Sequence, residues 1–337
     1  EIYMGDWSSD VCSSDLMQRE LFGPTSPEVA PTLMSQGALA LLRGDSAAAE
    51  RLFDQSLQIY RSHGQERTTS ATSVMNELAN LYSISGRQDR AATLYRAALD
   101  IDRQALGNDH PQVGHHLHNL AVTLQAQGKL EEAAPLYEES MQVFQRVLGE
   151  RHPQTLDAFA NYGRFLHRRG ELERAAETLG KVVELDRQAR GPRHAFVGHD
   201  LVNLGMVRLD MQRHAEAEKD FRAALDIYAE TLPADHPYVV SALSGLGRCM
   251  LEQNRLADAE QTLRRAKEIG AKSVPADSPQ LAAANSSLGR VLMAQRRPDE
   301  AAQLLRESYP ILVQSQGENA AITQRAREAI AQLDGRQ

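Results

Sequence analysis

Residues 110–153 read HPQVGHHLHNLAVTLQAQGKLEEAAPLYEESMQVFQRVLGERHP, and the dipeptide that opens this stretch, His110-Pro111, returns near its end as His152-Pro153. Proline suits a first helical turn, because its φ is already fixed near the helical value and its missing N–H would have no partner there. Leu117, Leu120, Ala121 and Leu124 follow at helical spacing, which predicts a first helix from His110 to Gln127. Gly128 and Lys129 interrupt it. Ala133, Leu136, Tyr137, Met141, Phe144 and Val147 then form an apolar stripe on a second helix from Glu131 to Leu148, closed by Gly149.

The 42-residue spacing runs through the chain. Ser26-Pro27, Thr68-Thr69, His194-Ala195, His236-Pro237 and Ser278-Pro279 stand in register with the two His-Pro pairs. Alanine recurs at positions 49, 91, 133, 175, 217, 259 and 301, and a small residue at Gly37, Ala79, Ala121, Gly163, Gly205, Gly247 and Gly289. Three series in phase predict seven repeats over residues 26–319, each an antiparallel helix pair that cannot bury both faces alone. The expected fold is therefore all-α, a right-handed superhelical solenoid with a concave inner face. Residues 320–337 read as a capping helix, polar on its outer side, and 17–25 as the tail of a truncated preceding repeat. Residues 1–16, EIYMGDWSSDVCSSDL, hold the only tryptophan and none of this spacing, and are expected to be a non-native segment.

Composition agrees with long helices: 42% of the 337 residues are hydrophobic but only 5% aromatic, so small side chains must do much of the packing. The formal net charge is -8; without Glu1, Asp6, Asp10 and Asp15 of the first sixteen residues, 37 basic face 41 acidic residues. Nucleic-acid binding needs a basic footprint, so this balance argues against it. No run of apolar residues is long enough for a membrane span and no secretion signal opens the chain, so a cytoplasmic location is expected. Cys12 and Cys249 are too few for a disulfide framework, and Cys249 sits in an apolar helical pattern.

The strings Asn119-Leu120-Ala121, Gln127-Gly128-Lys129-Leu130-Glu131-Glu132-Ala133, Pro135-Leu136-Tyr137 and Val147-Leu148-Gly149 before His152-Pro153 resemble the kinesin light chain-type tetratricopeptide repeat. The likeness covers about residues 17–337. It implies a non-catalytic scaffold that holds an extended peptide in its groove, with first-helix asparagines on the peptide backbone. Asn119, Asn161 and Asn203 occupy the matching positions, while Glu77, Gly245 and Ser287 depart from the pattern.

If Leu117, Leu120, Ala121 and Leu124 pack between helices, the opposite face of the first helix lines the concavity. That places His115, His118 and Asn119 there, with Asn76 and Asn80 one repeat earlier. Asn161, Arg164 and His167 follow, then His199 and Asn203, and finally Arg248 and Arg290. Amides can pair with both the N–H and the C=O of an extended chain and Arg can grip a carboxylate, so the expected partner is a protein or peptide with an acidic segment. The same residues could equally be the solvated faces that any soluble solenoid needs. Arg208 stands in register with the buried-type residues Tyr82, Leu124 and Leu166; either its stem snorkels outward or Leu209 takes its place.

Other chemistry is not expected. His110, His152, His194 and His236 are copies of one repeat position, roughly 20 Å apart if two helices at 8–10 Å spacing separate them, so they cannot share a metal and read as caps. His115, His116 and His118 lack the ligand pattern of a zinc site. Gly245-Leu246-Gly247-Arg248 sits within a helix, away from the strand-to-helix context of a nucleotide loop. No cofactor, metal or catalytic residue is assigned, no membrane contact is expected, and the intact array is expected to be monomeric. The alternative reading is that the repeats form the C-terminal regulatory part of a larger bacterial signalling enzyme, such as a serine/threonine kinase. A self-associating array is a third.

Overall fold

The computed structural model describes residues 21–335, all of whose regular structure is helical. The expectations for residues 1–16, and for 17–20 within the stretch 17–25, lie outside the described residues. The chain divides into two compact units, residues 1–158 and 159–337.

In the first unit a single 3-10 turn, Pro27–Val29, leads into α1 (Ala30–Leu42) and α2 (Ser46–Ser62). The pairs α3 (Thr69–Ile84) with α4 (Gln88–Leu106), and α5 (Pro111–Ala126) with α6 (Leu130–Leu148), follow. The unit boundary falls inside α7 (Pro153–Arg169). The second unit continues with α8 (Leu172–Arg190), α9 (Ala195–Asp210), α10 (His214–Thr231), α11 (Pro237–Glu252) and α12 (Leu256–Ser273). It ends with α13 (Pro279–Ala294), α14 (Pro298–Gln316) and α15 (Ala321–Asp334).

The helix starts are set by their caps. The hydroxyls of Thr68 and Ser278 each accept a backbone N–H three residues on, at 3.3 Å. In the four histidine starts the Nδ1 of His110, His152, His194 and His236 accepts the N–H two residues on, at 3.2 to 3.3 Å. Each cap satisfies a donor that the first turn would otherwise leave unpaired.

The turn inside each helix pair needs one left-handed residue. Gly44, Gly86, Gly128 and Gly170 supply it at φ of 75 to 80°, and the next three copies of that position are Gln212, Asn254 and Arg296 at φ of 59 to 63°. The same turn thus persists where a side chain costs roughly 1 kcal/mol of backbone strain.

Helices within a pair approach closely because one carries a small residue where the other carries a large one. A Cβ on Gly37 would lie 2.6 Å from the Phe53 ring, and one on Gly205 2.9 Å from the Phe221 ring. At Gly163, Gly247 and Gly289 the large partner is Leu179, Leu263 or Leu305. A second such pair joins the start of the first helix to the end of the second: Gly114 faces Phe144 and Gly198 faces Tyr228. The rings in these pairs are almost wholly buried, Phe53 and Phe221 at 0% exposure.

Leu209 takes the buried place, and the Arg208 side chain, 25% exposed, turns to the second helix of its own pair. There it reaches Asp220 on α10 with Nη1 at 2.8 and 2.6 Å from the two carboxylate oxygens.

Candidate functional site

In the first unit the inner residues fall into two groups. Asn119 on α5 donates to the Asn76 carbonyl oxygen at 3.0 Å, and Asn76 on α3 donates to Glu77 at 3.3 Å. Together with Ser73, His115 and His116 these residues line one concavity, with Met34 of α1 at its end. Asn80 and His118 lie elsewhere: Asn80 accepts the Tyr95 hydroxyl proton, and His118 packs edge-on against Tyr137 with centroids 5.8 Å apart. His115 packs edge-on against Phe144 at 5.0 Å; partial desolvation, and then the neighbouring His116, lower its imidazole pKa.

Sequence reasoning missed a buried dyad behind this surface. His116 Nε2 donates to Asp102 Oδ2 at 3.0 Å, and Thr72 Oγ1 lies 2.8 Å from Asp102 Oδ1. His116 had been read only as part of a histidine cluster.

In the second unit Asn161 accepts from Arg164 at 3.2 Å, and Asn203 pairs with His199 Nδ1 at 3.3 Å. The cationic positions are engaged by carboxylates of the chain itself. His167 Nε2 lies 2.8 Å from Asp210 Oδ2, and Arg248 Nη2 lies 3.3 Å from Asp210 Oδ1. Arg290 donates to Glu252 at 3.0 Å. Arg325 of α15 joins the group, 3.7 Å from Asp210 and 3.9 Å from Glu252. Arg248 is only 5% exposed, so it is a structural cation rather than an open hand for a ligand.

Asp210, Glu252 and Arg325 were not among the expected site residues, yet a signal existed. Asp210 and Glu252 are 42 residues apart, and each pairs with an arginine 38 residues later. Arg248, Arg290 and Arg325 against Asp210 and Glu252 leave one positive charge in excess, more if His167 is charged.

Burial raises the Asp210 pKa, but the His167 hydrogen bond and the charges of Arg248, His167 and Arg325 outweigh it, so the carboxyl ionises below its ordinary range. A carboxyl lowered in the fold stabilises it fully above the unfolded pKa and less as pH falls through the folded one. Thermal melts followed by circular dichroism are therefore expected to show a loss on acidification below about pH 4. Asp210→Asn is expected to lower stability at neutral pH by about 1.5–3 kcal/mol, the worth of hydrogen bonds to a charged group, and to flatten the acid limb. An unchanged acid limb in that variant would remove Asp210 from the account.

Among the described residues no group of three or more His, Cys, Asp or Glu side chains converges as a metal site. Cys249 is a free, fully buried thiol, its pKa pushed up to about 12 by burial. No helix among the described residues is long and apolar enough to cross a membrane.

Sequence profiles of the tetratricopeptide repeat match residues 70–141, 116–188 and 201–272, and a further one matches 30–55. The chain is a tetratricopeptide repeat protein. No curated protein sequence matches it. Among solved structures, this repeat protein is similar to BtubC (BKLC) from P. vanneervenii, at 23% identity and a TM-score of 0.60, over 66% of this chain and 89% of that one. It is similar to the kinesin light chain of Podosopora anserina with nearly identical TPR-like repeats, at 24% identity and a TM-score of 0.50, over 61% and 98%. The apo quorum sensor NprR from B. thuringiensis aligns at 13% identity with a TM-score of 0.67, over 91% and 84%. These likenesses agree with a tetratricopeptide solenoid, and the similar structures include a kinesin light chain-like repeat protein. At such identities they speak to fold alone.

Proposed function

We propose that this tetratricopeptide repeat protein is a non-catalytic, cytoplasmic scaffold that holds an extended segment of a protein partner on the inner faces of its first helices. The observation that carries the reading is the recurrence of a half-buried amide at one repeat position, Asn119, Asn161 and Asn203, on successive first helices. An amide has both a donor and an acceptor to offer an extended main chain, which a merely solvated face does not require. In the inner cluster of residues 159–337, three arginines, Arg248, Arg290 and Arg325, face two carboxylates, Asp210 and Glu252, and with Arg164 exposed beside Asn161 this supports an acidic side chain as the preferred neighbour.

The test is capture from a random peptide library on the immobilised chain. A short motif containing Asp or Glu is expected to be enriched, and Asn161→Ala with Asn203→Ala is expected to weaken its capture about tenfold at unchanged helicity. Arg164→Met and Arg290→Met probe the acidic preference; Arg248 is too buried to serve. A library that emerges unenriched, or a double variant that binds as the parent does, sinks the reading.

A further inference from the structure

The concavity of the first unit carries a chemistry opposite to the arginine-rich face of residues 159–337. Its lining holds no Lys or Arg, and its one carboxylate, Glu77, makes no ion pair among the described residues. Glu77 Oε1 accepts from Asn76, which leaves Oε2 for another donor. His116 also lines this concavity, is only 4% exposed, and its Nδ1 is buried without a hydrogen-bond partner. A buried polar atom left unpaired is costly and asks for an explanation.

The dyad supplies one. Asp102 is wholly buried and bonds His116 Nε2, which must therefore carry the proton. With the proton on Nε2, Nδ1 is the ring nitrogen left to accept a hydrogen bond. Ser73 donates its own hydroxyl proton to the Thr69 carbonyl, so its oxygen too has only lone pairs to offer. The concavity thus holds three acceptors, one of them a carboxylate, beside the side-chain amides of Asn76, Gln112 and Asn119, and no cation of its own, which suits a bound group with several N–H donors.

We infer that the concavity between α3 and α5 is a recognition site for a basic group, the guanidinium or ammonium of an Arg or Lys in the bound segment, with Glu77 and the His116 Nδ1 as its acceptors. The inference rests on the peptide-scaffold reading and refines it: a segment bound at the first unit carries a basic residue here.

The experiment uses the full chain and short blocked peptides that differ only at one central residue, Arg, Lys, Gln or Glu. Binding is followed by nitrogen-15 spectra of the histidine side chains. The Arg and Lys peptides are expected to bind about tenfold more tightly than the Gln peptide, the worth of one charge-assisted contact, and to shift the His116 Nδ1 resonance. Glu77→Gln is expected to abolish that preference. Asp100→Asn, which removes the same charge from the exposed face of α4, is expected to leave it intact. Equal binding of all four peptides overturns the basic site while leaving the scaffold reading standing. Preference for the Glu peptide, a preference that survives Glu77→Gln, or no binding by any of the four overturns it as well. The library capture then decides separately whether the scaffold reading falls too.

Discussion

Arg208→Leu is expected to destabilise the fold by about 3–5 kcal/mol, and adding Asp220→Leu is expected to return all of it. Arg208 is three-quarters buried at its side chain and Asp220 more so, at 25% and 7% exposure, and they form a bidentate pair. Removing the arginine strands a carboxylate that already sits above its ordinary pKa range, because burial outweighs the hydrogen bond and charge of Arg208. Removing both costs little, since the chain solves the same place in another way: the copies of these two positions are Leu124 with Leu136, and Leu292 with Leu304. Well-packed apolar residues in place of a buried ion pair are often neutral or stabilising by 1–4 kcal/mol. Urea unfolding of the parent, both single variants and the double variant closes the cycle. The sign of the pH dependence gives a second check. A carboxyl whose pKa is raised in the fold favours the folded state at low pH and loses that contribution as pH rises, so the deficit of Arg208→Leu should shrink on acidification. A deficit that stays constant with pH, or a double variant as weak as the single one, would show that the pair acts through something other than charge burial.

Gly245→Asn, which restores at the sixth repeat the residue found at Asn119, Asn161 and Asn203, is expected to cost stability, about 3 kcal/mol at the upper end of the range for overpacking, and to add no binding. A Cβ there would stand 2.4 Å from two atoms of the Phe221 ring, and Gly205 closes the ring from its own first helix. The ring cannot move away. Gly245→Ala should fail for the same reason, and Phe221→Leu should relieve it in part, because leucine fills this position at Leu179, Leu263 and Leu305. The readout is the midpoint of chemical unfolding. A Gly245→Ala protein as stable as the parent would mean that the ring has room the structure does not give it.

Gly245 also marks where reading the sequence stopped. As a departure from the asparagine series it looked like a lost ligand contact, when it is a packing concession to Phe221, a residue in the previous repeat. The fold was legible because its determinants are local and periodic: a capped helix start, a small residue against a large one, a left-handed turn every 42 residues. The inner face was legible as a list of residues but not as a set of partners. His167, Arg248 and Arg290 were placed on that face, yet their carboxylates stand on neighbouring first helices, at a position where other repeats carry Leu42, Ile84 or Ala126. His116 was missed for a related reason. Its meaning comes from Asp102 at the end of an earlier second helix; Asp102 returns in register only as Asp186, and no copy of His116 is a histidine.

The small-against-large pairs have a bearing on how such a chain can change its length in heredity. Gly114 with Phe144, Gly198 with Tyr228 and Gly37 with Phe53 each lie wholly inside one 42-residue frame opened by the capping dipeptide. A duplication or deletion that begins and ends at those dipeptides carries each lock away with its key, whereas one cut between the two helices of a pair mismatches every ring it separates. Phe221 is an exception, since it is held by Gly245 of the following frame, and Gly270 meets Leu281 across the next boundary. Excising residues 236–277 would bring Ser287 to that place, and its side chain would meet the ring. The junction between these two frames is thus inherited as one piece, while frames locked only within themselves are free to be lost or copied.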